Sequence, residues 1–300
     1  MKWKETHLKD IYNLDIIYFD ESKKEICARV CKVLYIDSLP DISSYSYWKI
    51  IDGIWRKESI EYELDEDVEA FSTQILDLMT QNTSHIVYTT QNHRIGGLVH
   101  FTDYECPVVY SNIYQNLNTF ERKLRDYLIF MGLNDKRFLE YLEAFKLPNE
   151  APHYQDILYK RISKLKKRRD KKTFDNIYLS ELLEFATSEY VTDGLRLPIK
   201  LSFLKEEING QKVSRIINDL RNFIMHHDNI TGEVIFNPQY FSEFERFFNM
   251  VLTFKDAFSE LSKEIFDLET KNKSTFNKSR LDLISRLNDK QLTNYFYNLG

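Results

Sequence analysis

The hydrophobic period of the chain changes at about residue 110, and this change limits the fold more than any other feature of the sequence. Before it, short β-branched and aromatic runs occur at Leu14 to Phe19, Ile26 to Ile36, His85 to Thr90 and Ile95 to Phe101, which is the pattern of strands. Over Asp67 to Met79, the residues Val68, Phe71, Ile75, Leu78 and Met79 recur at helical spacing. Residues Ser59 to Asp103 therefore read as strand, helix, strand, turn, strand, with Gln91-Asn92-His93-Arg94 as a polar hairpin turn. From Ser111 onward the helical period takes over. Helices are expected at about 112–131, 135–146, 152–170, 176–190, 197–227 with a break, 238–268 and 275–298. Asn149, Pro152, Gly194, Pro198, Gly210 and Pro238 fall at the expected helix ends. The expectation is an α+β chain in which a small α/β domain over 1–110 precedes an all-α helical bundle over 111–300.

Composition narrows the classes of function. With 300 residues and 43% hydrophobic content, the chain can bury a sizeable core. It has no run of 18 apolar residues and no signal-peptide core after Met1-Lys2-Trp3-Lys4-Glu5, so no membrane partner is expected and cytoplasm is the expected location. Cys27, Cys31 and Cys106 form no metal-ligand pairing and read as reduced, mostly buried small hydrophobes. His7, His85, His93, His100 and His153 lack acidic or thiol partners at metal spacing, so no metal site is expected. No phosphate-binding glycine loop, His-Glu-x2-His helix or Gly-x-Ser-x-Gly elbow occurs. The net charge of −5 argues against a globally basic nucleic-acid coat, and any RNA contact must be local. One local candidate is the basic block from Lys160 to Lys172, which could offset RNA phosphates. Its bland reading is a solvated connection, because the block lacks interleaved aromatics.

The segment Leu220-Arg221-Asn222-Phe223-Ile224-Met225-His226-His227-Asp228 carries the groups for metal-free RNA cleavage: a guanidinium, a carboxamide and an imidazole. Ile216, Ile217, Leu220, Phe223 and Ile224 recur on the core side of a helix, while Arg215, Asn218, Asp219, Asn222 and His226 fall on the polar side. Asn222 and His226 share a face, whereas Arg221 and His226 are roughly 140° apart on an ideal helix. One helix therefore converges them poorly, and either the helix ends near His226 or a second copy of the chain completes the site. A helix with Arg, Asn and His on its wet face is also a common structural arrangement.

The Arg-Asn pair followed by apolar residues and His resembles the Arg-polar-x3-His signature of the HEPN superfamily of ribonucleases and nucleotide-binding helical domains. Upstream, the stretch from Asn116 to Ile129, with Glu121 and Arg125 in a Glu-x3-Arg pattern, looks like the opening helix of those domains. The resemblance implies an RNase toxin or anti-phage effector in which the RNA 2′-hydroxyl attacks the adjacent phosphate. It casts Arg221, Asn222 and His226 as catalytic, with His227 as the alternative base. His226 can move protons near neutral pH and Arg221 can offset the charge growing on the phosphate. Each chain offers one clear His where acid and base are both needed, so a homodimer is expected. In a subset of the superfamily a Tyr two residues after the motif His is a modification site; here that position is Asp228, with Tyr240 farther on.

The α/β region resembles a single CBS repeat, with His85-Ile86-Val87-Tyr88 and Arg94-Ile95-Gly96-Gly97-Leu98-Val99 as strands and Phe101-Thr102-Asp103-Tyr104 as the ending. That resemblance implies a nucleotide sensor in which Thr102 lies near phosphate and Asp103 accepts from ribose hydroxyls. CBS repeats usually come in pairs, and residues 1–58 show no clear second copy; they are a divergent repeat or an unrelated β cap. The chemistry requires no cofactor, and the regulator the resemblance implies is an adenine nucleotide. The alternatives are a structural cap with Asp103 as a helix cap, and a non-catalytic dimeric module in which Arg221 and His226 hold an anion of a nucleotide or partner. A helix-turn-helix regulator ranks last, for want of a basic recognition face.

Overall fold

The computed structural model describes residues 1–12, 47–51, 54–58, 63–81, 85–91, 94–167, 177–195, 199–226 and 241–285. Their strands and helices give an α+β fold, with strands before Pro107 and, apart from one two-residue hairpin, helices after it. Among the described residues no helix is long and apolar enough to cross a membrane. The described residues pack as two compact units. A sheet unit draws on Lys2–Thr119 and Arg215–Lys255, and a helical unit on Phe120–Ser214 and Asp256–Gly300.

In the sheet unit, β1 (Tyr47–Ile51) and β2 (Ile54–Glu58) pair antiparallel as a hairpin. The strand runs read from the sequence do not include this segment, which falls within the residues 1–58 read as a divergent repeat or a β cap. The strands expected at Leu14 to Phe19 and Ile26 to Ile36 lie outside the described residues. A three-stranded sheet follows, built from β3 (Glu63–Asp65), β4 (Ile86–Gln91) and β5 (Arg94–His100) in the order β3-β4-β5. β3 runs parallel to β4, which requires a crossover, and α1 (Thr73–Gln81) supplies it; β4 and β5 are antiparallel, with Gln91 opposite Arg94 across the turn. The strand, helix, strand, turn, strand order is the one expected from Ser59 to Asp103.

The helix begins at Thr73 and not at Asp67, because the backbone of 66–70 pairs elsewhere. Leu8 N–H donates to Val68 O at 3.0 Å, Lys9 N–H to Glu66 O at 2.9 Å, and Ala70 N–H to Thr6 O at 2.7 Å. The N-terminal segment is clamped on its other side by α2 (Pro107–Phe130), which starts with Pro at the position that needs no N–H. The buried Asn116 accepts from Lys4 N–H at 2.8 Å and donates to Lys4 O at 3.0 Å, while the buried Asn112 donates to Thr6 Oγ1 at 3.0 Å.

In the helical unit, α3 (Asp135–Glu140) is capped by Asn134, whose side chain accepts from Arg137 N–H at 3.2 Å. It continues through a π-helical turn, Tyr141–Lys146. α4 (Pro152–Lys167) buries Leu158, Ile162 and Leu165. α5 (Leu179–Thr187) is shorter than the helix expected over 176–190 and gives way to a π-helical turn at Tyr190–Gly194. Phe138, Tyr141, Phe185 and Tyr190 form an aromatic cluster, with Phe185 centred 5.2 Å from Phe138 and 5.1 Å from Tyr141. The helix expected over the first half of 197–227 is absent. In its place stand a 3-10 turn at Ser202–Lys205 and a hairpin of β6 (Glu207–Ile208) and β7 (Gln211–Lys212). Asn209 and Gly210 take φ of 53° and 76°, the left-handed pair that a tight hairpin turn requires.

α6 (Val213–His226) and α7 (Phe241–Ser285) complete the described chain. α7 is one helix where two were expected, and it contains neither Gly nor Pro. Phe244, Phe247, Phe248, Val251 and Phe254 are all at most 1% exposed and form its stripe in the sheet unit, at the i, i+3, i+4 spacing of a core-facing helix. Rings of Phe71, Phe101 and Tyr104 pack on that stripe at centroid separations of 4.9–5.8 Å for Tyr104–Phe244, Phe71–Phe248, Phe101–Phe244 and Tyr104–Phe248. Each such ring removed from water contributes roughly 1.5–3 kcal/mol.

Candidate functional site

α6 is amphipathic. Val213, Ile216, Ile217, Leu220 and Ile224 are buried, and Phe223 stacks on Phe247 of α7 with centroids 4.9 Å apart. Core packing on this face fixes the rotation of the helix, and so decides which residues the other face presents. Arg221 and Asn222 both stand at the margin, partly exposed, and the Arg221 guanidinium donates to Asn222 Oδ1 at 3.3 Å. The Asn222 carboxamide oxygen thus serves the guanidinium. His226 is the last residue described in α6, one turn beyond Asn222, and its side chain lies outside the described residues, as does His227.

Met225 is one helical turn beyond Arg221 and so shares its face. Met225 and Ile224 form one wall of a cleft of about 550 Å³, whose opposite wall is the start of α2: Cys106, Tyr110 and Tyr114. Tyr114 and Met225 are 42% and 39% exposed, so the cleft is lined by accessible aromatic and thioether surface. Burial pushes the Tyr110 phenol well up, with the charge of Glu105 adding to it, so Tyr110 stays a neutral hydroxyl across the physiological range. Cys106 is half-buried, while Cys27 and Cys31 lie outside the described residues. Burial raises the Cys106 thiol, backbone N–H groups of Val109 and Val108 lower it, and the charge of Asp103 raises it further.

Thr102 and Asp103 lie side by side in a 3-10 turn, Phe101–Tyr104, which follows β5 directly. Both are engaged by His100. Asp103 Oδ2 accepts from His100 N–H at 2.7 Å, and Thr102 Oγ1 lies 2.7 Å from His100 Nδ1. Thr102 N–H also points to that nitrogen at 3.3 Å, which makes Nδ1 the acceptor and places the imidazole proton on Nε2. Asp103 therefore caps its own turn. A carboxylate has about four acceptor positions, so this bond leaves it capacity for a diol. Burial raises the Asp103 carboxyl, offset by the bond from His100. Burial also lowers the His100 imidazole, and the charge of His85 lowers it further. His85 itself adopts φ of 50°, bonds Met79 O through Nδ1 at 2.7 Å and stacks face to face on Phe241 at 3.9 Å.

In the helical unit, Glu121 and Arg125 of α2 form an ion pair at 2.8 Å, and Arg125 also donates to Ile177 O at 3.2 Å. The Glu-x3-Arg pattern thus ties α2 to the segment before α5, a tether between elements.

Sequence reasoning missed His100, Tyr110, Tyr114 and Met225. Pro107 was the available signal for the cleft: as a helix-start residue it places Tyr110 and Tyr114 on one face of α2, where a start at Ser111 leaves Tyr110 outside the helix. No protein-family model, curated protein or solved structure matches this chain.

Proposed function

We propose that the chain is a metal-independent endoribonuclease of the HEPN type, acting as an RNase toxin or anti-phage effector. The observation that carries this reading is the face of α6. It presents Arg221, bonded to Asn222, one turn before Met225, which lines an open cleft with tyrosines on its far side. A guanidinium beside an aromatic-lined cleft suits a phosphate flanked by a base, since it can offset phosphoryl charge while rings hold the nucleobase.

In this reading His226 takes the proton of the RNA 2′-hydroxyl, whose oxygen attacks the adjacent phosphorus. The P–O5′ bond breaks, the leaving 5′-oxygen is protonated by an imidazole of a second copy, and the products are a 2′,3′-cyclic phosphate and a 5′-hydroxyl. Arg221 stabilises the charge on the non-bridging oxygens, and Asn222 holds the guanidinium in place. A homodimer supplies the acid and the base together. Thr102 and Asp103 receive an adenine nucleotide as regulator, with Asp103 accepting from ribose hydroxyls. Asp103 lies three residues before Cys106, which lines the cleft.

The test is cleavage of total RNA and tRNA in EDTA by the full chain and by its Arg221→Ala and His226→Ala variants. Cuts that carry cyclic-phosphate termini and vanish in both variants support the reading. RNA left intact by the wild type, with and without adenine nucleotides, together with nucleotide affinity that changes in Arg221→Ala, would instead establish a binding module. Light scattering adds a second check, because a strict monomer at micromolar concentration sinks the composite site.

A further inference from the structure

The basic block singled out in the sequence becomes, in its described part, a defined surface. α4 buries Leu158, Ile162 and Leu165, so its opposite face carries His153, Ile157, Lys160, Lys164 and Lys167. These five recur at spacings of four, three, four and three, which keeps them in one stripe about 21 Å long at 1.5 Å per residue. All five are exposed, Ile157 by 63%. The cations outside the stripe are taken: Arg161 pairs with Glu181 and lies over the Tyr178 ring, and Lys166 pairs with Glu143. Lys160, Lys164 and Lys167 have no ion-pair partner among the described residues.

The block itself holds no ring, and the rings on this helix precede it. At the N-terminal end of the stripe the His153 ring lies 4.0 Å from that of its neighbour Tyr154, which stands beside the stripe at 53% exposure, and Tyr159 is 64% exposed on the same helix. Lysines near a helix C-terminus favourably meet the helix dipole, which is reason enough for Lys164 and Lys167. It accounts neither for Lys160, two turns from the end, nor for exposed rings beside the cations. A row of unpaired cations with aromatic surface at one end is what a single nucleic-acid strand needs, since phosphates track the charges and unstacked bases lie on rings.

We propose that this face of α4 is a single-stranded RNA-binding surface, in which Lys160, Lys164 and Lys167 hold the phosphate backbone and His153 and Tyr154 stack on a base. The proposal rests on RNA being the substrate of the Arg221 site. It adds a second, sequence-independent hold on the strand, in the helical unit, that positions RNA and reads no bases.

The experiment uses the full chain with Arg221→Ala, in EDTA, and measures anisotropy of a fluorescein-labelled unstructured 20-nucleotide RNA at 50 to 200 mM KCl. Three phosphate contacts at a slope of about 0.7 each give a salt slope shallower by about 2 when Lys160, Lys164 and Lys167 are all changed to Ala. Between 50 and 200 mM salt, a factor of about twenty in lost affinity then disappears. Adding Lys160→Arg, Lys164→Arg and Lys167→Arg in place of Ala keeps the slope. His153→Ala with Tyr154→Ala weakens binding roughly 5- to 150-fold at every salt concentration without changing the slope, the mark of lost stacking. An unchanged slope in the triple Ala variant overturns the proposal, and so does lysine-dependent binding to anionic phospholipid vesicles with no RNA bound. If wild type leaves RNA uncut while lysine-dependent binding persists, the nuclease reading fails and this surface stands. Cleavage with lysine-independent binding gives the reverse.

Discussion

Replacing Phe247 by Ala should loosen the sheet unit and the cleft together. Phe247 is 1% exposed, and its ring lies 4.9 Å from Phe223 of α6, 6.0 Å from Phe71 and 6.4 Å from Tyr110 of α2. It therefore backs both walls of the cleft. Truncating a fully buried Phe costs about 3–5 kcal/mol, from lost transfer free energy and from the cavity left behind. Against a total stability of roughly 5–15 kcal/mol this is a large fraction. At roughly 2–4 °C per kcal/mol for a unit of roughly 150–250 residues, the midpoint should fall by about 6–20 °C. The assay is intrinsic fluorescence, because all three tryptophans, Trp3, Trp48 and Trp55, belong to the sheet unit and Trp3 packs on Phe254 at 5.5 Å. Phe266→Ala is the control: at 66% exposure its cost should stay within about 0.5 kcal/mol. A fluorescence midpoint moved by less than about 2 °C in Phe247→Ala would refute the assignment of Phe247 as the shared support.

Tyr104→Phe removes the hydroxyl that donates to Ala70 O at 2.6 Å in a fully buried setting, so a loss of about 1–3 kcal/mol in urea denaturation is expected, and a neutral result would show that the carbonyl finds another donor. Asn116→Ala deletes both bonds to the Lys4 backbone; hydrogen exchange at Lys4 and Thr6 should accelerate, and unchanged protection would mean that pairing with 66–70 holds the segment alone. His100 has a folded pKa below its ordinary value, so the unfolded chain takes its proton first as pH falls below about 6.5, and stability should drop there while staying flat above about 7.5. His100→Gln should shallow that drop, and an identical pH profile in the variant would remove His100 as its source. The raised Asp103 carboxyl acts in the opposite sense in a more acidic window, because folding favours its protonated form.

The parts of the fold that rest on local periodicity could be read from sequence. The β4–β5 hairpin, the crossover helix and α2 each carry a strong apolar period; the strands agree with expectation to one residue, while the two helix starts differ by five or six. α7 was divided because Lys271-Asn272-Lys273-Ser274 interrupts the apolar stripe; polarity alone does not end a helix that contains neither Gly nor Pro. The β6–β7 hairpin was legible in principle, since Asn209-Gly210 is the pair that suits a two-residue turn, but Gly210 alone also reads as a helix stop. At the candidate site, the adjacency of Arg221 and Asn222 followed from their numbering. The cleft did not, because Tyr110 and Met225 lie more than a hundred residues apart and only the packing of α6 and α2 brings them to one space.

The rings of Phe71, Phe101 and Tyr104 find their partners on α7 at Phe241, Phe244, Phe247 and Phe248. During synthesis these early aromatics leave the ribosome well over a hundred residues before their cover does, and at roughly 5–20 residues per second the wait is on the order of 10 s. Throughout that interval the sheet unit has a sticky open side while Phe120–Ser214 of the helical unit is already being made. A slow stretch of translation before residue 241 would therefore lengthen the time in which nascent chains can capture one another, and the yield of folded protein should depend on how fast that stretch is read.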